Sequence, residues 1–101
     1  MKKQVMLSFA ERVYRVVAKI PKGSVMTYGG VAKRAGFPGA ARAVGTVMKE
    51  NPDPKRVPCH RVVRSDGRVG EYAFGGKTKK IARLKAEGVS VTATGRILKR
   101  A

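Results

Sequence analysis

The sequence predicts a single, mainly α-helical domain with short β-strands, arranged like a winged helix-turn-helix. Its 101 residues suit one domain with a modest core, and 43% of them are apolar. Apolar residues recur at helical spacing in several segments, which glycine- and proline-rich turns separate. Two of the predicted helices are short and are joined by a tight glycine-containing link, a pattern typical of helix-turn-helix motifs.

The charge balance indicates an anionic partner. Twenty-three Lys and Arg residues against six Asp and Glu residues give a net charge of +17 at pH 7. Nucleic acid is the commonest partner of such a chain, although an adaptation for solubility would also produce a basic composition. No predicted helix combines a basic face with large aromatic anchors, and no apolar run is long enough to span a bilayer. We therefore expect no membrane partner.

The single cysteine limits the redox and metal chemistry. It excludes an internal disulfide and a cysteine-rich zinc site, and it suits a reducing compartment. We expect a cytoplasmic protein that associates with the nucleoid through DNA, with no metal site.

The first two helices have clear start and stop signals. After an N-terminal tail over residues 1–7, Ser8 and Glu11 form a capping box. The helix behind it has apolar residues at helical spacing and must end before Pro21. Thr27 is placed to cap a second helix over residues 28–35, which Gly36 ends.

The third helix, over about residues 40–50, has two unlike faces. One is an apolar stripe of Ala40, Val44, Val47 and Met48. The other is small in the middle and basic at its ends, and consists of Arg42, Gly45, Thr46 and Lys49. A helix of this kind can lie in a DNA groove while its cations reach phosphates. The alternative is a solvated face of a small bundle.

The second half of the chain is more irregular. Residues 51–58 contain three prolines and form a loop, and residues 59–64 are predicted to be a short strand with a turn at its start. A turn at 65–67, a return strand at 68–69 and an aromatic-bearing loop at 70–76 follow. Residues 77–87 are predicted to be a helix with a thin apolar stripe and a basic exterior. Residues 89–101 are a C-terminal tail or a small wing, within one domain over 1–101.

Cys59 and His60 are the only cysteine and histidine, and they are adjacent. A thiolate is a strong nucleophile, and an imidazole commonly activates it, while the cation of Arg61 would favour the charged thiol. A lone cysteine in an apolar segment is more often a small buried hydrophobe. Neighbouring side chains on a strand also point to opposite faces. The chemistry of the pair alone leaves both interpretations open.

Three separated motifs make the sequence similar to a known family. Residues 58–62, Pro-Cys-His-Arg-Val, resemble the active-site signature of the O6-alkylguanine-DNA alkyltransferases. Residues 20–29 resemble the segment that leads into that family's helix-turn-helix, and residues 40–45 resemble its recognition helix. Asn51 and Pro52 resemble its hinge, and Cys59 follows Asn51 by eight residues, as in the family pattern. The resemblance extends over about residues 20–88.

The resemblance implies a DNA repair protein that flips O6-alkylguanine out of double-stranded DNA and takes the alkyl group irreversibly, once per molecule. It implies a monomer without a cofactor. Cys59 would accept the alkyl group, His60 would remove the thiol proton through a water, and Glu87 would orient His60. Asn51 would stabilise the turn beside the site. Tyr28 would help to rotate the nucleotide and would donate a proton to the departing base.

The resemblance also implies the DNA and substrate contacts. Arg42 would enter the duplex and fill the gap left by the flipped base. The other expected DNA contacts are Tyr28, Ala41, Gly45, Thr46 and Lys49. The expected walls of the guanine pocket are Met48, Val62, Tyr72, Ala73, Phe74 and Gly75.

Two departures from the family pattern bear on these expectations. The larger members have an N-terminal domain before the motif region, and about twenty residues precede the first motif here. We therefore expect the catalytic domain to stand alone. The span from Tyr72 to Glu87 is also one residue longer than the usual pattern, and the side chain of Ala73 cannot donate a hydrogen bond to the alkylated oxygen.

Two other functions compete with alkyl transfer. One is an alkyltransferase-like protein that binds the lesion without transfer, although such relatives usually replace the cysteine that is present here. The other is a general DNA-binding protein with salt-sensitive phosphate contacts and an incidental cysteine.

Overall fold

Four α-helices and one pair of short strands make up the fold. A computed structural model describes residues 8–98, so the predicted tail at 1–7 and the last three residues of the predicted C-terminal tail lie outside it. The elements, in chain order, are α1 (Phe9–Ala18), β1 (Met26–Thr27), α2 (Tyr28–Arg34), α3 (Ala41–Lys49), a 3-10 helix (Cys59–Arg61), β2 (Val62–Val63) and α4 (Gly76–Ala86). The predicted fold class, mainly α with short β and a helix-turn-helix pair, is confirmed.

The starts of α1 and α2 are determined locally. The Ser8 hydroxyl accepts a hydrogen bond from the Glu11 amide at 3.1 Å, and the Glu11 carboxylate accepts one from the Ser8 amide at 2.9 Å. The Thr27 hydroxyl accepts a hydrogen bond from the Gly30 amide at 2.9 Å. Both caps satisfy amides at the helix start that lack a partner within the helix, as the sequence predicted.

The first core lies between α1, α2 and α3. Val13 and Val17 of α1, Val31 of α2 and Val44 of α3 have no exposed surface. Because the apolar stripe of α3 is turned into this core, its small and basic face is left at the surface. The link between α2 and α3 turns at Gly36, whose φ of 97° few other residues adopt without strain.

The strand predicted at 59–64 is shorter in the structure, and the turn predicted at its start is a 3-10 helix. Cys59–Arg61 form a 3-10 helix, in which the Arg61 amide donates a hydrogen bond to the Pro58 carbonyl at 2.9 Å. Only Val62 and Val63 are extended, and they pair in parallel with Met26 and Thr27. The tighter turn buries two adjacent side chains, Cys59 at 5% exposure and His60 at 2%, which a strand would direct to opposite faces.

A second core lies between β2, α4 and the C-terminal segment. It consists of Val63, Val69, Ile81, Leu84, Val89 and Val91. Isolated antiparallel bridges join Arg68 to Arg96 and Val91 to Ile97, so the segment after α4 forms a small hairpin over this core. Within residues 8–98, every helix is too short or too polar to cross a membrane.

Candidate active site

A cleft of about 790 Å³ lies between α3, the start of α2 and the loops that follow β2. Cys59 lines the cleft, although only 5% of the residue is exposed. The lining residues are Tyr28, Gly29, Ala41, Arg42, Gly45, Thr46, Met48, Lys49, Cys59, Arg64, Ser65, Gly70, Glu71, Tyr72 and Ala73. The cleft therefore brings the only cysteine to the same space as the outward face of α3.

All of the residues predicted to contact DNA line this cleft. Arg42, Thr46 and Lys49 are exposed on α3, and Gly45 between them leaves open space where another residue would carry a Cβ atom. Lys49 lies 3.7 Å from the carboxylate of Glu71, but both side chains are mostly in solvent and the pair contributes little stability. The face of α3 in the cleft therefore has small side chains in its middle and a cationic side chain at each end.

His60, the residue after Cys59, forms a buried pair with Glu87. Nε2 of His60 is 2.9 Å from Oε2 of Glu87, and both side chains are largely buried. Burial lowers the pKa of His60, and the hydrogen bond to Glu87 opposes that change only in part. Burial raises the pKa of Glu87, but hydrogen bonds from Arg61 and His60 outweigh it and bring the pKa to about 2.

These pKa directions define the tautomer of His60. At neutral pH Glu87 is a carboxylate and can only accept hydrogen bonds, so Nε2 of the neutral imidazole must carry the proton. The other ring nitrogen, Nδ1, then has a free lone pair. His60 is therefore prepared to accept a proton through Nδ1, and Glu87 would stabilise the imidazolium that results.

Arg61 is paired with Glu87. Its Nε and Nη2 atoms donate to the two oxygens of Glu87 at 2.9 and 2.8 Å, and Nη1 donates to the Ile20 carbonyl at 2.7 Å. These bonds fix the position of the Glu87 carboxylate. The expected effect of the Arg61 cation on the Cys59 thiol stays a prediction.

Asn51 holds the loop that leads to Cys59. It is 4% exposed. Its Nδ2 donates to the Val57 carbonyl at 2.8 Å, and its Oδ1 accepts from the Asp53 amide at 3.0 Å. Both bonds close the loop on itself, so Asn51 sets the path of the chain immediately before Pro58 and does not line the cleft.

Tyr28, the first residue of α2, lines the cleft and packs against the loop that follows β2. A Cβ atom at Gly70 would come within 3.2 Å of the Tyr28 hydroxyl, so glycine permits this approach, and its φ is 81°. Burial raises the pKa of Tyr28 above 10, with smaller contributions in the same direction from Cys59 and Glu71. Tyr28 is therefore a protonated phenol at neutral pH.

The structure places only half of the predicted guanine-pocket residues on the cleft. Met48, Tyr72 and Ala73 line it, whereas Val62, Phe74 and Gly75 do not. Val62 is fully buried in β2, and Gly75 precedes α4 with a φ of 130°. Phe74 packs edge-on against Tyr72 at 5.7 Å and supports the pocket wall from behind.

One buried residue beside the cleft, Lys80, was not predicted from the sequence. Lys80 was assigned to a basic exterior, but it has no exposed surface, and its Nζ lies 3.4 Å from the Tyr28 hydroxyl. The available signal was its position four residues before Leu84, on the apolar side of α4. Gly29, Arg64, Ser65 and Gly70 were also not predicted to line the cleft.

Comparison with known proteins relates residues 8–89 to one family. A family model described as 6-O-methylguanine DNA methyltransferase, DNA binding domain, matches residues 8–89. The methylated-DNA–protein-cysteine methyltransferase of Methanothermobacter thermautotrophicus is 48% identical over 83 residues, which are 82% of this chain and 46% of that protein. The chain thus spans less than half of that relative.

Two further relatives are covered more completely. A protein of Escherichia coli named DNA base-flipping protein is 47% identical over 90 residues, which are 89% of this chain and 69% of that protein. The crystal structure of S. pombe Atl1 in complex with damaged DNA containing O6-carboxymethylguanine has a TM-score of 0.75 and 36% identity. It covers 93% of this chain and 90% of that chain.

Proposed function

Because the chain belongs to the family of 6-O-methylguanine DNA methyltransferase DNA-binding domains, we propose that it repairs double-stranded DNA by taking the alkyl group of O6-alkylguanine onto Cys59. The motifs at 20–29, 40–45 and 58–62 predicted this family, and the match over residues 8–89 confirms the membership. The activity, the substrate and the DNA partner are inferences from it.

One observation carries the proposal. Cys59 opens onto a cleft that is shared with the small and basic face of α3, and the next residue, His60, belongs to a buried network with Glu87 and Arg61. A nucleophile with an oriented base is the arrangement needed for covalent transfer. A cysteine that served only as a small apolar side chain would not need a buried histidine and carboxylate beside it.

Binding would begin at α3. Its small residues allow close approach to a DNA groove, while Arg42 and Lys49 reach phosphates or the base stack. The alkylated oxygen is inside the duplex, so the nucleotide must be extruded, which costs a few kcal/mol. Insertion of Arg42 into the gap and burial of the base in the cleft against Tyr72 and Met48 would offset that cost.

The transfer step is a displacement at the alkyl carbon. His60 accepts the Cys59 proton at Nδ1, directly or through a water. The thiolate attacks the carbon, the S–C bond forms, and the C–O6 bond breaks with its electron pair going to guanine. Tyr28 donates a proton to the departing base, since a neutral guanine leaves more easily than its anion. The product thioether has no easy reversal, so each molecule reacts once.

Binding of the lesion without transfer is the second candidate. Two relatives that the chain covers more fully than the Methanothermobacter methyltransferase are a protein named for DNA base flipping and Atl1, the latter crystallised on damaged DNA. The same cleft and the same α3 face would serve that function. A general DNA-binding protein would use the +17 charge but would gain nothing from the buried network of His60, Glu87 and Arg61.

Intact-protein mass spectrometry after incubation with a duplex that carries one O6-methylguanine separates these functions. Alkyl transfer predicts the gain of one methyl group, located at Cys59 and never exceeding one per molecule. Cys59→Ser should gain none and still bind the duplex. Tight, lesion-selective binding by the native protein without a mass change would favour the second candidate, and equal affinity for damaged and undamaged duplexes would favour the third.

A further inference from the structure

A second cleft, of about 670 Å³, lies beside the one that Cys59 lines. It is formed by the loop after β2, the start of α4 and the C-terminal hairpin, and no residue of α3 lines it. One of its lining residues is acidic, Glu71, and four are cationic, namely Arg64, Arg68, Lys77 and Arg96. The fold thus brings cations from three separate segments to one space, which we call the arginine cleft.

The carboxylates near the arginine cleft are already paired. Asp66 lies 2.8 Å from Arg64, and Glu71 lies 3.7 Å from Lys49 of α3. Within residues 8–98, the other three cations of the cleft have no carboxylate within ion-pair distance. A backbone hydrogen bond from Arg68 lowers the pKa of Asp66, and the arginine charges of the cleft act in the same direction. The protein's own side chains therefore leave the cleft positively charged.

The cations are held close together although they repel one another. An antiparallel bridge joins the backbones of Arg68 and Arg96, and Nη1 of Arg96 donates to the Asp66 carbonyl at 3.3 Å. A Cβ atom at Gly95 would come within 3.3 Å of Cδ of Lys77, so glycine lets the lysine stem lie against the hairpin. All four cationic residues of the cleft are exposed. Their mutual repulsion is unfavourable in the free protein and is relieved when an anion binds.

The composition and the position of the arginine cleft indicate which anion this is. A guanidinium donates paired hydrogen bonds that match a phosphate group, and it is more easily desolvated than an ammonium. The cleft also adjoins the one proposed to receive the flipped nucleotide, because Arg64, Gly70, Glu71 and Tyr72 line both. A DNA strand with one nucleotide in the Cys59 cleft continues past the rim of that cleft, and its next phosphates are the nearest anions.

We propose that the arginine cleft binds phosphates of the DNA strand that carries the flipped nucleotide, on one side of the lesion. The inference rests on the proposed function, since a duplex must occupy the Cys59 cleft. The outward face of α3 would contact the groove, while Arg68, Lys77 and Arg96 hold the backbone beside it. Phosphate contacts position a protein without reading bases, so the arginine cleft adds affinity and fixes the register on the DNA.

The test measures affinity for a lesion duplex as a function of salt and of flanking DNA. All proteins carry Cys59→Ser, so that O6-methylguanine is bound without being consumed. Arg68→Gln/Arg96→Gln is compared with Arg15→Gln/Arg34→Gln, which removes two exposed arginines that line neither cleft. The lesion is placed at the centre of the duplex, near its 5′ end or near its 3′ end.

We expect Arg68→Gln/Arg96→Gln to weaken binding of the central lesion about tenfold. The slope of log affinity against log salt concentration should become shallower by about two. Shortening one of the two flanks should weaken binding by the parent protein, and it should have little further effect in Arg68→Gln/Arg96→Gln. The control Arg15→Gln/Arg34→Gln should lose less affinity and should keep the dependence on that flank.

Thr94→Lys tests the same cleft by adding a charge. Thr94 is exposed and lines the arginine cleft, so the new cation should strengthen duplex binding about threefold. The salt slope should become steeper by about one. Thr78→Lys is the control, because Thr78 is exposed on α4 and lines neither cleft.

Equal salt slopes and equal flank dependence in the two arginine double variants would overturn the proposal. The same holds if Thr94→Lys gains no more affinity than Thr78→Lys. If sedimentation shows two duplexes bound per protein, and one in Arg68→Gln/Arg96→Gln, the cleft takes a second DNA molecule and the assignment to the same strand is wrong.

The outcome for the arginine cleft is separate from the outcome for alkyl transfer. If the protein with native Cys59 binds the lesion duplex but gains no methyl group, the proposed transfer fails, and the affinities still decide the role of the arginine cleft. Methyl transfer by the native protein, together with equal affinities in all of the variants, would reject only the arginine cleft.

Discussion

Oε2 of Glu87 lies 2.9 Å from Nε2 of His60, although the two residues are 27 positions apart in the chain. Glu87 is the residue at which α4 ends, and it is anchored by Arg61, which also bonds the Ile20 carbonyl. The end of α4 thus reaches the segment before β1 and the 3-10 helix of Cys59 at once. The orientation of the imidazole depends on how these three segments pack.

Glu87→Gln should reduce alkyl transfer to Cys59. The amide keeps the shape of the carboxylate but does not stabilise an imidazolium, so His60 becomes a weaker base. With free O6-benzylguanine as the substrate, we expect the rate at pH 7 to fall about tenfold or more. The rise of the rate with pH should move to higher pH, because the Cys59 thiol gives its proton less readily to a weaker base. The matched control is Glu50→Gln, an exposed residue at the end of α3. An unchanged pH profile in Glu87→Gln would contradict this role of Glu87.

Arg42→Ala should separate DNA repair from the chemistry of the thiol. Arg42 is exposed on α3 and lines the cleft, and none of the ion pairs in the described residues involves it. We expect reaction with free O6-benzylguanine to stay within about twofold, while repair of duplex O6-methylguanine falls about tenfold or more, because the flipped state loses a few kcal/mol of support.

Arg34→Ala is the control for Arg42→Ala, since it removes the same charge from the exposed end of α2, away from the cleft. It should weaken duplex binding only through the general attraction to phosphates. Equal effects of the two substitutions on duplex repair would show that Arg42 contributes only charge. Equal loss of both reactions in Arg42→Ala would show that the residue supports the cleft itself.

The sequence allowed the helices to be predicted because their signals are local. The capping residues Ser8 and Thr27 and the two faces of α3 depend on neighbours within a few positions. A turn was predicted at Cys59, but its extent as a 3-10 helix was not, because a short run of apolar and β-branched residues after a proline suits a strand equally well. The parallel pairing of β1 with β2 includes only Val62 and Val63 of this segment, and it joins parts of the chain that are far apart in sequence.

The candidate site was predicted where it follows short motifs and missed where it depends on packing. The motif at 58–62 indicated Cys59 and His60, and the family pattern supplied Glu87. Lys80 was missed because its residue type predicts exposure, and its two hydrogen-bond partners come from α2 and from the loop after β2. Phe74 was assigned to the pocket by the family pattern, yet it does not line the cleft and packs edge-on against Tyr72.

Arg61→Lys should destabilise the fold, in contrast to a surface exchange of the same type. Arg61 is largely buried and donates two hydrogen bonds to the Glu87 carboxylate and one to the Ile20 carbonyl. A lysine cannot reproduce the paired contact with Glu87. We expect a loss of about 2–4 kcal/mol in the free energy of unfolding from urea denaturation at pH 7. Arg56→Lys, whose pair with Asp53 is exposed at 3.7 Å, should change it by less than about 0.5 kcal/mol. Losses of similar size would refute the anchoring role of Arg61.

Lys80 should make the stability of the native protein rise with pH above about pH 8. The pKa of Lys80 is lowered from 10.5 to about 8 in the folded state. Between these values the unfolded chain holds a proton that the folded protein has released, so the unfolded state binds more protons and stability increases with pH. The increase from pH 8 to pH 10 should be about 2 kcal/mol at most.

The comparison that isolates this increase is native protein against Lys80→Met, by urea denaturation at pH 7, 8, 9 and 10. Burial also raises the pKa of Tyr14, Tyr28 and Tyr72, which lowers stability at higher pH, but these residues are present in both proteins. The difference between native protein and Lys80→Met should therefore grow in favour of the native protein across this range, while Lys79→Met, which removes an exposed lysine from the same helix, follows the native curve. A difference that stays constant from pH 7 to pH 10 would mean that Lys80 keeps an ordinary affinity for its proton in the folded protein.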